Sequence, residues 1–199
     1  MIVKWQTISV THGQAVWVLS NMGFRTGDSE SAFNSYIKYL RRNGLPFAKE
    51  ELGVGTGHNV VYQYDHLMEL AVALALRAQA ILPRDIVQIL AESRSKLRPI
   101  YRRAYNERDS GLGKTIEVAI PRRLPFMMNG VWLDLQLSYV ETGFLLVGEP
   151  KALSPADALE LFGTVNRAKH MRGLMNLSEL ADDVVNFATN APEIRRGRQ

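Results

Sequence analysis

Few residues of this chain have a type and spacing that could do covalent chemistry. Gly111-Leu112-Gly113-Lys114-Thr115 ends like a phosphate-cradling nucleotide loop, but that motif needs a glycine five positions before Gly113, where Arg108 stands. Ile116 to Ile120 then reads as a strand where the motif requires a helix, so nucleotide hydrolysis is not expected. A second glycine cluster, Gly53, Gly55 and Gly57, has no strand before it and no helix directly after it, and suits a hairpin tip instead. His58 has no carboxylate or hydroxyl at a spacing that would make it a general base, and Asp134 and Glu141 are too isolated for an acid and base pair. The absence of cysteine removes disulfides, thiolate metal sites and Cys nucleophiles. No catalytic residue, metal site or cofactor is therefore expected, and the chain does not read as an enzyme.

What remains is charge. The 199 residues carry a net charge of +4, and the excess is local: residues 1–110 hold 14 Lys/Arg against 10 Asp/Glu, and the rest are balanced. Lys38, Arg41 and Arg42 fall on one predicted helix. Six more cations, Arg94, Lys96, Arg98, Arg102, Arg103 and Arg108, share a window with one acid, Glu107, and with Tyr101 and Tyr105. Such a window serves equally as a phosphate-contacting surface or as a solvated outer face.

The elements that must position these cations come next. A composition of 46% apolar residues is enough for a packed core, and no apolar run reaches the ~18 residues needed to cross a bilayer. With no basic start followed by an apolar stretch, a cytoplasmic protein is expected. Ile8-Ser9-Val10 reads as a short extended piece, and Thr11 as the cap of a helix through Met22 that ends at Gly23. The turn-rich stretch from Arg25 to Ser31 leads into a helix with Ala32, Phe33, Tyr36, Ile37 and Leu40 at helical spacing, closed by Gly44. The glycine hairpin tip would form a wing ending in a strand from Asn59 to Tyr64. Asp65 is expected to cap the next helix, and Pro83 to open another. From Arg84 onward Ile86, Leu90, Ser93, Leu97, Ile100 and Ala104 have the spacing of a coiled-coil seam, with Pro99 expected to kink or break it.

Taken in order, these pieces resemble the DNA-binding domain of MerR-type transcriptional regulators. The resemblance lies in Tyr36-Ile37-Lys38-Tyr39-Leu40-Arg41-Arg42-Asn43-Gly44-Leu45, then Tyr62-Gln63-Tyr64-Asp65-His66-Leu67-Met68-Glu69-Leu70, then Ile81-Leu82-Pro83-Arg84-Asp85-Ile86. It covers about residues 8–92. Lys38 stands where the family usually has Arg, Leu40 where it has a second Tyr, Arg41 where it has Glu, and Gln63 where it has Arg. The resemblance implies a winged helix-turn-helix that contacts double-stranded DNA through Asn34, Ser35, Tyr36, Lys38, Tyr39, Arg41 and Arg42, with Lys49, His58 and Asn59 placing the wing on the backbone. Tyr62 and Tyr64 would either donate hydroxyls to phosphate or serve as half-buried strand aromatics. It also implies that the seam helix pairs subunits into a homodimer or higher homo-oligomer. The departures at Lys38, Leu40 and Gln63 support an alternative, a protein-interaction adaptor whose winged fold does not read bases.

Past the Gly111 to Gly113 linker, Val131, Leu133, Leu135, Leu137 and Tyr139 alternate with Asp134, Gln136 and Ser138, the pattern of a half-buried strand. Glu141-Thr142-Gly143 turns it into a hairpin with Phe144 to Val147. Ser154-Pro155-Ala156-Asp157 starts a helix, and two more are expected at about 165–174 and 177–188 before a basic tail. Met127, Met128 and Trp132 could line an apolar pocket or simply be core, and His170 belongs to a basic face. The expected fold class is α+β: a mostly helical domain over 1–92, a basic connecting and dimerisation helix with linker over 93–113, and a C-terminal domain over 114–199. That last domain, a small antiparallel sheet of about three strands with helices, would set oligomeric state or take a protein partner or small-molecule effector.

Overall fold

In the computed structural model, residues 4–25, 27–48, 51, 60–108, 130–141, 143–164 and 171–194 are described. Lys49, His58, Asn59, the glycine hairpin tip, the Gly111 to Gly113 linker, the strand at Ile116 to Ile120, Met127, Met128 and His170 lie outside these residues. The protein is α+β, with six α-helices and two antiparallel sheets among the described residues. None of these helices is long and apolar enough to cross a membrane. The chain forms two compact units, leaving the first after Arg94 and returning to it at Asp183. The second unit takes in most of the expected connecting segment over 93–113, and the residues from Asp183 onward group with the first unit rather than with the expected C-terminal domain over 114–199.

In the first unit, β1 (Ser9–Thr11) pairs antiparallel with β2 (Val61–Gln63), Val10 facing Tyr62. Thr11 then starts α1 (His12–Leu19) with a capping box, its own N–H donating to Gln14 Oε1 at 2.9 Å while its hydroxyl accepts from Gln14 N–H at 3.4 Å. The helix stops at Leu19, short of Met22, because a π-type turn over Ser20–Phe24 takes the chain to Gly23 at φ +86°. α2 (Glu30–Arg42) begins where the Ser29 hydroxyl accepts from the Ala32 N–H at 3.2 Å, and ends before Gly44 at φ +96°.

α3 (Tyr64–Ala78) is buried along most of its length. Gln63, not Asp65, holds its cap position, and the Gln63 N–H donates to His66 Nδ1 at 3.2 Å. α4 (Pro83–Glu107) opens on Pro83 as expected. It runs unbroken through Pro99, correcting the expected break: Leu97, Tyr101 and Ala104 are buried on both sides, and that burial outweighs one lost backbone hydrogen bond. The expected pairing seam is also corrected. Ile86, Leu90, Ser93, Leu97 and Ala104 are all buried within this one chain, so the stripe is core and is not open to a second subunit. Residues past Asp183 complete the unit, with Phe187 edge-on to Trp17 at 6.2 Å and the Gln14 amide donating to the Pro192 carbonyl at 3.2 Å.

In the second unit, β3 (Trp132–Val140) is the strand to which every other strand pairs. β6 (Met171–Asn176) lies along one edge, while β5 (Lys151–Leu153) and β4 (Gly143–Leu146) share the other. The Val147 N–H reaches the Gln136 carbonyl at 2.7 Å between those two short strands. Among the described residues the sheet has four strands. Neither β5 nor β6 is among the expected strands, and β6 lies in a stretch expected to be helical: the open edge of β3 carries buried backbone groups that need partners, and this demand overrides a weak helical pattern. α5 (Pro155–Thr164) starts as expected, the Ser154 hydroxyl donating to Asp157 Oδ2 at 2.6 Å and accepting from the Asp157 N–H at 3.2 Å. α6 (Leu177–Thr189) follows β6 directly. The alternation along β3 holds only in part, since Asp134 on its polar face is buried and Tyr139 on its apolar face is 71% exposed.

Candidate nucleic-acid interface

α2 is the element on which most of the expected contacts sit, and its geometry sorts them. At about 100° per residue, Phe33, Ile37 and Leu40 fall on one side of a helix, and all three are fully buried. Ser35, Lys38 and Arg42 fall on the opposite side and are exposed, with Tyr39 beside them at 38% exposure. Leu40 is therefore a core residue rather than an altered reading position. Among the described residues, Lys38 and Arg42 have no ion-pair partner.

The flanks of α2 are occupied. On one side, a neutral His12 ring with its proton on Nε2 satisfies two contacts: the Tyr62 hydroxyl donates to Nδ1 at 3.0 Å, and Nε2–H donates to Asn34 Oδ1 at 3.0 Å. Burial pushes the Tyr62 phenol up from its ordinary pKa, while the charge and hydrogen bond of Arg41 act the other way. These four side chains weld α1, α2 and β2 together. Asn34 and Arg41 are thus engaged in holding the helix. Tyr62 and Tyr64 are both fully buried, which removes them as phosphate donors and corrects even the half-buried reading.

On the other flank, Tyr36 lies nearly parallel to Tyr39 at 6.2 Å, and the Arg77 guanidinium stands 4.2 Å from the Tyr36 ring centroid. Arg77 is itself held by Asp28 at 2.9 Å. The Tyr36 hydroxyl is buried with no hydrogen-bond partner, and that desolvation lifts its pKa from 10.0 to about 12, against the pull of Arg77. Tyr36 is therefore a wedge beside the helix, not an outward reader of bases.

A cleft of about 570 Å³ runs beside α2 and is lined by His12, Asn34, Lys38 and Arg41, with no acidic residue among the described residues. Two cations and a histidine on one wall favour an anion there. The basic window on α4 behaves differently. Arg94 donates Nε to both Glu69 oxygens, at 3.0 and 3.1 Å, and its terminal nitrogen to Glu69 at 2.8 Å and to the Gly44 carbonyl. Lys96 pairs with Glu149, Arg103 with Glu107 at 2.7 Å, and Arg108 packs 3.7 Å over the Tyr105 ring. Arg94, Lys96, Arg103 and Arg108 are thus engaged within the chain. No family model matches the chain, and no curated protein or solved structure matches it either.

No local spacing points to His12 or Arg77 beside α2, or to Arg94 as the tie between α4, α3 and the end of α2. Their partners lie 22 to 50 residues away along the chain, beyond the reach of such patterns.

Proposed function

We propose that the protein is a DNA-binding transcriptional regulator of the cytoplasm, with a winged helix-turn-helix like that of MerR-type proteins. The observation that carries this reading is the cationic outer face of α2, where Lys38 and Arg42, without an ion-pair partner among the described residues, project opposite the buried Phe33, Ile37 and Leu40 next to a cleft that Lys38 and Arg41 line. A helix of this kind fits a major groove, and Lys38 supplies a point charge for phosphate rather than a planar fork for guanine. Recognition of an operator calls for two such helices, so the reading includes a dimer that pairs through a surface other than the α4 stripe.

The test is fluorescence anisotropy with duplexes taken from the DNA upstream of the coding region and with scrambled controls, over a range of salt. Submicromolar, salt-sensitive binding with a clear preference among duplexes is expected. Equal binding to all duplexes, or none, rejects the reading.

One observation favours a second reading, a protein-interaction adaptor. Tyr36, Tyr39, Pro83 and the 50% exposed Leu82 border an apolar cleft of about 570 Å³. On that reading, Leu82→Ser abolishes function in cells and Lys38→Ala with Arg42→Ala leaves it intact; the regulator reading expects the reverse.

A further inference from the structure

The second unit brings together charges that are far apart in sequence. Across the strands Asp134 on β3 faces Lys151 on β5, and Gln136 faces Arg172 on β6, so Asp134, Lys151 and Arg172 share one face of the sheet. α5 adds Asp157 and Glu160 to the rim, and the cleft, open on one side, measures about 410 Å³, at the small end for small-molecule sites. Leu153 and Leu161 provide its apolar wall.

Asp134 is 2% exposed, and one of its oxygens accepts from an Arg172 terminal nitrogen at 3.3 Å. Its other oxygen is buried and has no hydrogen-bond partner. A buried carboxylate oxygen normally has a donor, and a single long contact is far from the bidentate grip that arginine can give. The site is therefore short of one donor beside a guanidinium that still has N–H groups to offer.

We infer that this cleft binds a free α-amino acid. The lining has both signs of charge, which disfavours a simple anion or a simple cation and suits a ligand carrying one of each. The two groups it must meet are in contact at 3.3 Å, matching an ammonium and a carboxylate borne on the same carbon. The Asp134 carboxylate turns so that its buried, unpartnered oxygen accepts from the ammonium, the carboxylate of the ligand accepts from Arg172 and Lys151, and the side chain lies against Leu153 and Leu161. This inference does not depend on DNA binding.

The test uses the full chain and the twenty common L-amino acids at millimolar concentration, read by thermal shift and then by calorimetry on any that respond. At least one is expected to raise Tm by about 2 °C or more. Its decarboxylated amine and its deaminated acid, each lacking one charge, are expected to give no shift. Lys151→Ala, at an exposed position that leaves folding intact, is expected to weaken binding by about tenfold, and Asp134→Asn by more. No response to any amino acid overturns the inference, and so does an equal response to the amine or the acid, or unchanged affinity in Lys151→Ala.

Discussion

Replacing Arg94 with methionine keeps most of the side-chain volume and removes the guanidinium that joins α4 to α3 and to the end of α2. Glu69 is only 1% exposed and Arg94 only partly so, which puts this pair among buried ion pairs rather than surface ones. Loss of the guanidinium leaves a desolvated carboxylate without its countercharge at a cost of ~3–5 kcal/mol, and the Gly44 carbonyl loses this donor for about 1 kcal/mol more. Against a total stability of ~5–15 kcal/mol for an ordinary domain, Arg94→Met should bring the chain close to unfolding. Removing both charges, as in Arg94→Met with Glu69→Leu, takes the desolvated carboxylate away with its countercharge and should recover all but ~1–2 kcal/mol. Arg94→Lys should not rescue, because one ammonium cannot span both carboxylate oxygens and the carbonyl. Urea unfolding followed by circular dichroism, with all four proteins in a double-mutant cycle, measures each quantity. A cost below about 1 kcal/mol for Arg94→Met, or a double variant as unstable as the single one, would refute the reasoning.

Three further outcomes are expected. Tyr36 is neutral in the folded state up to a pKa of about 12 against 10.0 when unfolded, so its contribution is complete below pH 10 and falls as pH rises toward 12. Tyr36→Phe should flatten the loss of stability in that window, followed by thermal melts, and should remove a phenol that titrates near pH 12 from the ultraviolet spectrum. Gly130→Ala should prevent the second unit from packing, since a Cβ there would lie 2.3 Å from Ser178 Cβ at a φ of +90°, and near-ultraviolet circular dichroism of the expressed protein checks it. Lys38→Ala with Arg42→Ala should lower the salt dependence of DNA binding by about 0.9 in log–log slope for each phosphate no longer neutralised, measured by anisotropy at several salt concentrations.

Much of the fold was legible where the signal is local. Thr11 with Gln14, Ser29, Pro83 and Ser154 with Asp157 mark helix starts because the residue that satisfies an orphan amide sits within three positions of it. The buried stripe of α2 and the strand nature of β3 follow from periodicity alone. What was not legible is pairing across distance. Asp134 looks isolated in sequence because Arg172, 38 positions later, lies in a stretch whose own pattern suggests a helix. Arg94 and Lys38 look alike in sequence, and only burial separates the cation that holds α3 from the one that faces solvent. The coiled-coil spacing on α4 is real, but spacing cannot tell whether the apolar stripe meets its own chain or another.

The return of the chain to its first unit after Asp182 sets an order of assembly. The second unit is one continuous stretch, whereas the first needs Phe187 against Trp17 and Pro192 against Gln14, which leave the ribosome only after the whole sheet has been made. The half that carries α2 is thus finished last. A chain cut short anywhere between Ser95 and Asp182 lacks the closing cover of its first half, even where the cut falls after Asn176 and every strand of the sheet is present.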